Sequence, residues 1–444
     1  MWLPVVLAIA AVVATWFFVT SSAKKDKAPG TIETKKLPAG DENASDKKTK
    51  KKKGGNKSFP LHGGMHKKKG SKKSSAGLPS HPRFVKGVKG HTGNIDCVAL
   101  SPNGMWLATS GSDQQLRITQ VGHKAAKKGG EPVYFRIVIE KDTIASMSWA
   151  SDSLTVVAAM EDSKDVCFYR MREKKDVPPT ASGFKYELIE LKKRRFPTAH
   201  VGKMHTCKID TAHSAPVIIT AGNCMADKTV SAYSFDGKKL SQFVNSYSSN
   251  GVVLSSDGKF VLPRSGAKEI KIHEVFRRKA KGQAEAVCEG VSQNSVMTLS
   301  GLHTGVVADI FVGGHDAPVA HGISDRVLTC GNDGILGLWA IDVHYKFNED
   351  PKLLWSQKYS DTKFTGVTMS SDGTRFVVCD DAGVMRLFTI KTVSEAKCEC
   401  REEVSIETGG IAGGVSYLAL GPKSEFLYTC GFATKHAYVW DMKL

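Results

Sequence analysis

The sequence predicts an all-β fold made of repeated, four-stranded antiparallel sheets, and three observations lead to this prediction. Runs of about five residues that alternate apolar and polar side chains recur after residue 90, as in half-buried strands. Turn residues separate the runs, for example the Ser-Pro-Asn-Gly sequence at 101–104. A Gly-His pair at 90–91 opens the first group of runs, and an Asp-bearing turn at Asp113 follows its second run. Repetition of such groups is typical of a ring of small sheets, a β-propeller.

Seven groups can be counted, although six or eight are also compatible with the irregular second to fourth groups. Their bounds are 90–121, 133–171, 186–235, 239–276, 283–342, 353–390 and 400–444. The last group lacks an outer strand, whereas an extended stretch at 83–88 precedes the first group. We therefore expect this stretch to pair with the last strand, which closes the ring and hides an open sheet edge. Pro263 cannot donate a ladder hydrogen bond, so its strand is expected to end early.

The N-terminal segment, residues 1–23, is predicted to be an uncleaved transmembrane signal-anchor helix. Residues 2–20 carry no charged side chain, and at about 1.5 Å per residue they just span a bilayer core of about 30 Å. Lys24, Lys25 and Lys27 follow the apolar run, and positive flanks stay in the cytosol, so the body is expected there. The alternative is a cleavable signal peptide, because the Ser-Ser-Ala sequence at 21–23 fits a cleavage site. Glycosylation of either of two sequons, at Asn43 and at Asn56, would reverse the predicted topology.

Residues 24–82 form a lysine-rich linker that is predicted to be disordered. The linker holds 17 lysines against five acidic residues and has almost no residues that could build a core. Two functions remain open, a plain spacer and charge-driven contact with anionic headgroups or RNA phosphates. Phe59 is its only aromatic residue, which argues against base stacking. The densest lysine runs, which are the predicted membrane or phosphate contacts, are Lys50, Lys51, Lys52, Lys53, Lys67, Lys68 and Lys69.

Three groups contain a His before the first strand, a Ser or Thr on the second strand, which is Thr109 or Ser110 in the first group, and an Asp in the turn that follows. Such sets resemble catalytic triads, but their recurrence favours buried structural networks whose polar atoms satisfy one another. The third strand adds a Trp in one set and a Tyr in another, and Thr119 stands at this position in the remaining set. The predicted structural residues are His91, Thr109, Asp113, His200, Thr220, Asp227, Tyr233, His303, Thr329, Asp333 and Trp339.

Other chemistry is not supported by the sequence. It contains neither a GxxxxGK[ST] phosphate loop nor an HExxH zinc motif, and its fourteen histidines show no metal-ligand spacing. None of the ten cysteines forms a CxxC pair, which favours free thiols in a reducing compartment. We therefore predict no catalytic residue, cofactor, metal or small-molecule substrate.

Four segments carry a resemblance to a known family: 91–95, 271–275, 342–346 and 350–354. Together with the Trp-Asp pair at 440–441, they make the chain from about Lys86 to Leu444 similar to the transducin β-like protein 2 family, whose fold is a WD-repeat propeller. The chain departs from that pattern at His273, where the family has Trp, and at 119–120, where Thr-Gln replaces Trp-Asp. The resemblance implies a single-pass endoplasmic-reticulum membrane protein with a cytosolic propeller, linked to a stress-activated kinase, translation control and RNA or ribosomal contact.

The expected domains are thus the anchor at 1–23, the linker at 24–82 and the propeller at 83–444. The expected function is a membrane-anchored, non-enzymatic scaffold that binds proteins through propeller surfaces. The alternative is an RNA or ribosome tether that acts through the linker, and a third hypothesis is a luminal propeller hydrolase. The hydrolase would need a polar constellation in the central channel that differs from the repeated networks, and none is evident in the sequence.

Overall fold

The computed structural model describes most of the chain beyond residue 78. The described residues are 79–122, 133–174, 186–222, 225, 227–247, 249–279, 286–313, 326–341, 343, 345–347, 349–394, 396–409, 411 and 415–443. The predicted anchor and the predicted linker as far as residue 78 lie outside them. Within these ranges no helix has both the length and the apolar character needed to cross a membrane.

Thirty strands of the described residues form seven antiparallel sheets, in which most neighbouring strands follow one another along the chain; the exceptions are the pairs β1–β30, β8–β10 and β17–β19. The first sheet contains β2 (Ile95–Leu100), β3 (Trp106–Gly111), β4 (Gln115–Gln120) and β5 (Tyr134–Val138). The second contains β6 (Ile144–Trp149), β7 (Thr155–Met160), β8 (Asp165–Glu173), β9 (Tyr186–Glu190) and β10 (Phe196–Pro197). The third contains β11 (Met204–Ile209), β12 (Val217–Gly222), β13 (Thr229–Ser234) and β14 (Lys239–Val244).

The remaining four sheets follow the same plan. The fourth contains β15 (Gly251–Leu254), β16 (Phe260–Arg264), β17 (Ile270–Arg278), β18 (Val287–Val291) and β19 (Met297–Leu299). The fifth contains β20 (Val307–Gly313), β21 (Arg326–Gly331), β22 (Ile335–Ala340) and β23 (Lys352–Lys358). The sixth contains β24 (Phe364–Met369), β25 (Arg375–Asp380), β26 (Val384–Ser394) and β27 (Lys397–Glu407). The seventh contains β28 (Val415–Leu420), β29 (Phe426–Gly431), β30 (Ala437–Asp441) and β1 (Phe84–Val88).

The inner strands of the seven sheets contact one another in a closed cycle, β2–β6–β11–β15–β20–β24–β28 and back to β2. The described residues therefore form a seven-bladed propeller, which confirms the predicted fold class and the count of seven. The first strand of each later sequence group is the outer strand of the preceding sheet, as β14 is for the third sheet. Sequence groups and sheets are thus offset by one strand, and the offset links each sheet covalently to the next.

The ring closes where the N-terminal strand joins the last sheet. Strand β1 pairs with β30 in an antiparallel ladder that sets Phe84 opposite Trp440, and their rings meet edge to face at 5.6 Å. The Asp441 N–H donates to the Arg83 carbonyl at 2.8 Å, and the Arg83 guanidinium donates to the Lys443 carbonyl at 2.7 Å. The predicted closure is confirmed, and because residues far apart in sequence form it, the sheet ring depends on both ends of the domain.

The expectation for Pro263 was wrong, because β16 continues through it to Arg264. Pro263 stands opposite Val252 on β15, whereas the ladder between β16 and β17 ends at Val261. No bond to β17 is needed at Pro263, so its missing N–H does not interrupt the sheet.

Apolar side chains of neighbouring sheets pack between the blades. Phe376 and Phe388 of the sixth sheet stack at 4.6 Å, and Trp355 from the fifth sheet packs against both of them. The described cysteines are free thiols, and all except Cys400 are buried, where a thiol serves as a small apolar side chain.

Candidate functional site

The loops that precede the inner strands and the turns between second and third strands lie on one face of the ring, the upper face. Because adjacent strands are antiparallel, the turns between first and second strands lie on the opposite, lower face. The upper face carries the predicted His and Asp positions, and the inner strands between the two faces line a central channel. These two regions are the candidate functional site.

The fifth sheet holds a complete four-residue network on the upper face. His303 Nδ1 lies 3.3 Å from Asp333 Oδ1, and His303 Nε2 lies 2.9 Å from Thr329 Oγ1. Trp339 Nε1–H donates to the same Thr329 hydroxyl oxygen at 3.3 Å. A neutral imidazole with its proton on Nδ1 satisfies every one of these groups, because the hydroxyl then donates to Nε2 and accepts from Trp339. The Asp333 carboxylate also accepts from the Thr304 N–H at 2.8 Å, which fixes the loop before β20.

The first and third sheets repeat this arrangement. His91 lies 2.9 Å from both Asp113 Oδ1 and Thr109 Oγ1. In the third sheet His200 Nδ1 lies 3.1 Å from Asp227 Oδ2, and His200 Nε2 lies 2.9 Å from Thr220 Oγ1. The structure thus brings together the predicted His, Thr and Asp of each set.

Burial controls the protonation of these networks. It lowers the pKa of His200 and of His303, although the neighbouring carboxylates work in the opposite direction. Burial works to raise the pKa of Asp227, but hydrogen bonds from Thr229 and from the Val201 N–H hold that pKa below its usual value overall. At neutral pH the imidazoles of His200 and His303 are therefore neutral, and the carboxylates of Asp227 and Asp333 are charged. Since Thr329 has no exposed surface, its hydroxyl cannot reach a substrate in this arrangement.

Tyr233 does not join the third network as its position suggested. It stands opposite Ile218 on β12, the register position that Trp339 takes opposite Val327 in the fifth sheet. Its hydroxyl instead accepts the Ala199 N–H at 3.0 Å, immediately before His200. The hydroxyl of a tyrosine lies farther from its Cα than the indole N–H of a tryptophan does. The Tyr233 hydroxyl therefore reaches past the network to the backbone of the loop. Tyr233 therefore fixes the same loop by another route.

Several residues with comparable roles were missed by the sequence analysis. Trp440 Nε1–H donates to Thr429 Oγ1 at 2.9 Å in the seventh sheet, where no His takes part. In the sixth sheet the Asp380 carboxylate accepts from the Arg386 guanidinium at 2.8 Å. In the second sheet Asp142 accepts the Ser163 N–H at 3.0 Å, so an acid replaces the His before the inner strand. The Trp-Asp pair at 440–441 was the one available signal, because it marks the third strand of a repeat.

The central channel has a volume of about 1130 Å³ and is lined by inner strands of all seven sheets. Inside it, Arg264 Nη1 lies 2.6 Å from Asp309 Oδ1, which joins the fourth sheet to the fifth. Asp309 Oδ2 also accepts the Val367 N–H at 3.1 Å, which extends the connection to the sixth sheet. Lys208 of β11 lines the channel as well, and sequence analysis gave no reason to select it.

Some of the sequence predictions concern residues that lie outside the part of the chain that the structure describes. The predicted phosphate or membrane contacts Lys50–53 and Lys67–69 lie outside the described residues. Within the described ranges, no group of three or more His, Cys, Asp or Glu side chains is placed to hold a metal ion.

Comparison with known proteins first defines the class. Residues 82–119 match the family "WD domain, G-beta repeat", and the described residues form a seven-bladed β-propeller that contains this repeat. Transducin beta-like protein 2 of Homo sapiens is a homologue, 24% identical over 353 residues that cover 79% of this chain and 70% of the relative. Transducin beta-like protein 2 of Mus musculus is 24% identical over 356 residues, which cover 79% of this chain and 71% of the relative. These similarities confirm the resemblance that the sequence segments indicated.

Proposed function

We propose that this chain is a membrane-tethered, non-enzymatic scaffold that binds protein partners through the loops of its propeller. The observation that carries the proposal is the closed ring, in which the pairing of β1 with β30 gives the seventh sheet its fourth strand. A closed ring holds the loops of seven sheets in fixed relative positions, and loops on a rigid scaffold are where binding residues concentrate. A non-enzymatic role is supported by the His-Thr-Asp sets, because three sheets repeat them in equivalent places with buried hydroxyls.

The proposed location is the endoplasmic-reticulum membrane, with one membrane-spanning segment and the propeller in the cytosol. The uncharged run at 2–20 and the lysines that follow it support this topology. The family resemblance supports a role in stress-kinase and translation-control signalling, with a membrane stress kinase as one candidate partner.

The partner surface is proposed to be the mouth of the channel on the upper face. Phe432, in the turn after β29, lines this mouth with 59% of its surface exposed. Exposed aromatic side chains at the centre of a surface are common anchors of protein interfaces. Phe347 offers a matched control, because it is 84% exposed and precedes β23 at the lower face.

The test is proximity labelling in cells with the full chain, with Phe432→Ala and with Phe347→Ala. We expect Phe432→Ala to reduce labelling of specific partners by about tenfold, as for an interface anchor worth more than about 1.4 kcal/mol. Phe347→Ala is expected to leave the labelled set unchanged. Equal labelling by all three proteins would contradict the proposed surface. A fourth protein, with the linker lysines 50–53 and 67–69 replaced by glutamine, tests the scaffold role. Loss of the labelled partners in that protein alone would contradict a scaffold that binds through its propeller.

The second candidate is an RNA or ribosome tether, which the 17 linker lysines favour. Its test is a full chain in which the seven lysines of the two dense runs are replaced by glutamine. Loss of ribosome co-sedimentation, together with a steep salt dependence in the wild type, would support the tether. The matched control replaces seven exposed lysines of the propeller, Lys192, Lys193, Lys238, Lys358, Lys391, Lys397 and Lys435.

A further inference from the structure

The most unusual charged group in the described part of the propeller is Lys208. It lies on β11, the inner strand of the third sheet, and it lines both the central channel and an adjoining cavity of about 320 Å³ near the lower face. Most other lysines of the propeller carry their ammonium groups on the outer surface, where water solvates them. Lys208 therefore places a positive charge inside the ring.

No acidic side chain among the described residues neutralises this charge. Asp309, the carboxylate whose charge acts on it, already binds the Arg264 guanidinium at 2.6 Å and the Val367 N–H at 3.1 Å. Within the described ranges, the Lys208 ammonium takes part in neither an ion pair nor a side-chain hydrogen bond. Lys208 is only half-buried, so its ammonium group faces the channel without a partner among the described residues and is available to bind an anion there.

Hydroxyl groups line the smaller cavity beside Lys208. Ser148 Oγ accepts the Ile209 N–H at 3.3 Å, which leaves its own hydrogen available to donate. Ser256 and Thr211 line the same cavity at its exposed end. One ammonium and several hydroxyl donors around one cavity are the groups that bind a carboxylate or a phosphate.

We infer that the lower end of the channel is a binding site for an oxyanion, a carboxylate or phosphate group, with Lys208 as its charged contact. Two kinds of ligand present such an oxyanion: a small free molecule, and a peptide segment that enters the channel with an acidic side chain. Either one supplies the negative charge that this part of the ring lacks.

The protonation of Lys208 gives the site a characteristic pH dependence. Burial lowers the pKa of Lys208 and the Arg264 guanidinium adds to this, whereas the Asp309 carboxylate works in the opposite direction. Burial raises the pKa of both Cys97 and Cys207 to about 12, so neither thiol titrates near neutral pH. A bound anion favours the ammonium form, so anion affinity should fall as the pH rises through the titration of the free lysine.

The experiment measures binding of inorganic phosphate, citrate and a capped hexaglutamate peptide to the full chain at constant ionic strength, by calorimetry and thermal shift. The variants are Lys208→Met, Lys208→Arg and the control Lys391→Met, which removes an exposed lysine on β26. We expect Lys208→Met to weaken binding by about tenfold or more, which is the effect of losing one charged hydrogen bond. Lys391→Met should bind like the wild type, and Lys208→Arg should bind without the pH dependence.

Each outcome of this experiment either supports or overturns the inferred oxyanion site. Binding of phosphate or citrate that depends on Lys208 supports a site for a small anion, whereas binding of the peptide alone supports docking of an acidic segment. Absence of binding by the wild type to all three probes overturns the inference, and so does equal binding by wild type and Lys208→Met. Because methionine has a similar length without the charge, the folding of Lys208→Met is checked by its unfolding transition before binding is measured.

Discussion

The replacement of Thr329 by valine tests whether the His network of the fifth sheet stabilises the propeller. Valine keeps the branched shape of threonine but has no hydroxyl group. His303 Nε2 would lose its hydrogen-bond donor at 2.9 Å, and Trp339 Nε1–H would lose its acceptor at 3.3 Å. Thr329 has no exposed surface, so water cannot replace the hydroxyl.

The expected cost follows from the two groups left without partners. A buried donor or acceptor that loses its partner costs about 1–3 kcal/mol, and the longer Trp339 bond belongs near the lower end, so we expect a loss of about 2–4 kcal/mol. Thr429→Val in the seventh sheet is the matched comparison, because it orphans only the Trp440 N–H, which is bound at 2.9 Å. Its expected loss is about 1–2 kcal/mol.

Urea-induced unfolding of Thr329→Val, Trp339→Phe and the double variant at pH 7.5 measures these quantities. Phenylalanine lacks the indole N–H, so the double variant has one orphaned group fewer than Thr329→Val. Its cost should be smaller than the sum of the single costs by about 0.5–1.5 kcal/mol. A loss below about 0.5 kcal/mol for Thr329→Val, or strict additivity in the cycle, would refute the reasoning.

Three further predictions concern other buried charges. Lowering the pH from 7.5 to 5.5 should reduce the free energy of unfolding. The pKa values of His200 and His303 are lowered in the folded protein, so these histidines take up protons first in the unfolded chain, near the ordinary histidine pKa of about 6.5. A flat pH profile in urea titrations would contradict this. Asp210→Ala should cost about 3–5 kcal/mol in the same assay, because it leaves the largely buried Arg277 guanidinium without its carboxylate, and a cost below about 1 kcal/mol would count against it. Lys208→Met should raise the free energy of unfolding by about 1 kcal/mol at pH 7.5, a gain that should disappear towards pH ~10.4, where the unfolded lysine also loses its charge; a destabilised variant would show that Lys208 serves folding.

The sequence predicted the sheets well because their signals are local. Alternation of side chains and the turn at 101–104 define neighbouring strands within a few residues of one another. The closure by β1 could also be predicted, because an unpaired first strand and an incomplete last sheet need one another. Pro263 was misjudged because the effect of a proline depends on which neighbour its strand pairs with, and that pairing is not written in the local sequence.

The limits of the pattern are clearest for the polar side chains. The position of Tyr233 in its strand was predicted correctly, but its hydroxyl partner, the Ala199 N–H, depends on how far the phenol reaches in three dimensions. Composition likewise directed attention to the lysines of the linker, because charge density is visible in a sequence. A single charged residue that lines the central channel, such as Lys208, gives no such signal in the composition.

Lys208 shows why this limit has a physical origin. Along β11, Met204, Cys207 and Ile209 are buried and Lys208 faces away from the core, so alternation alone assigns the lysine to solvent. Alternation reports which side of a sheet a residue occupies, but it carries no information about the medium on that side. On an outer strand that medium is bulk water, whereas on the inner strand of a closed ring it is a channel in which Asp309, the carboxylate that acts on Lys208, is already paired with Arg264. The same polar position therefore faces bulk water at the rim and an enclosed channel at the centre, where an unpaired ammonium group is placed to bind an anionic ligand.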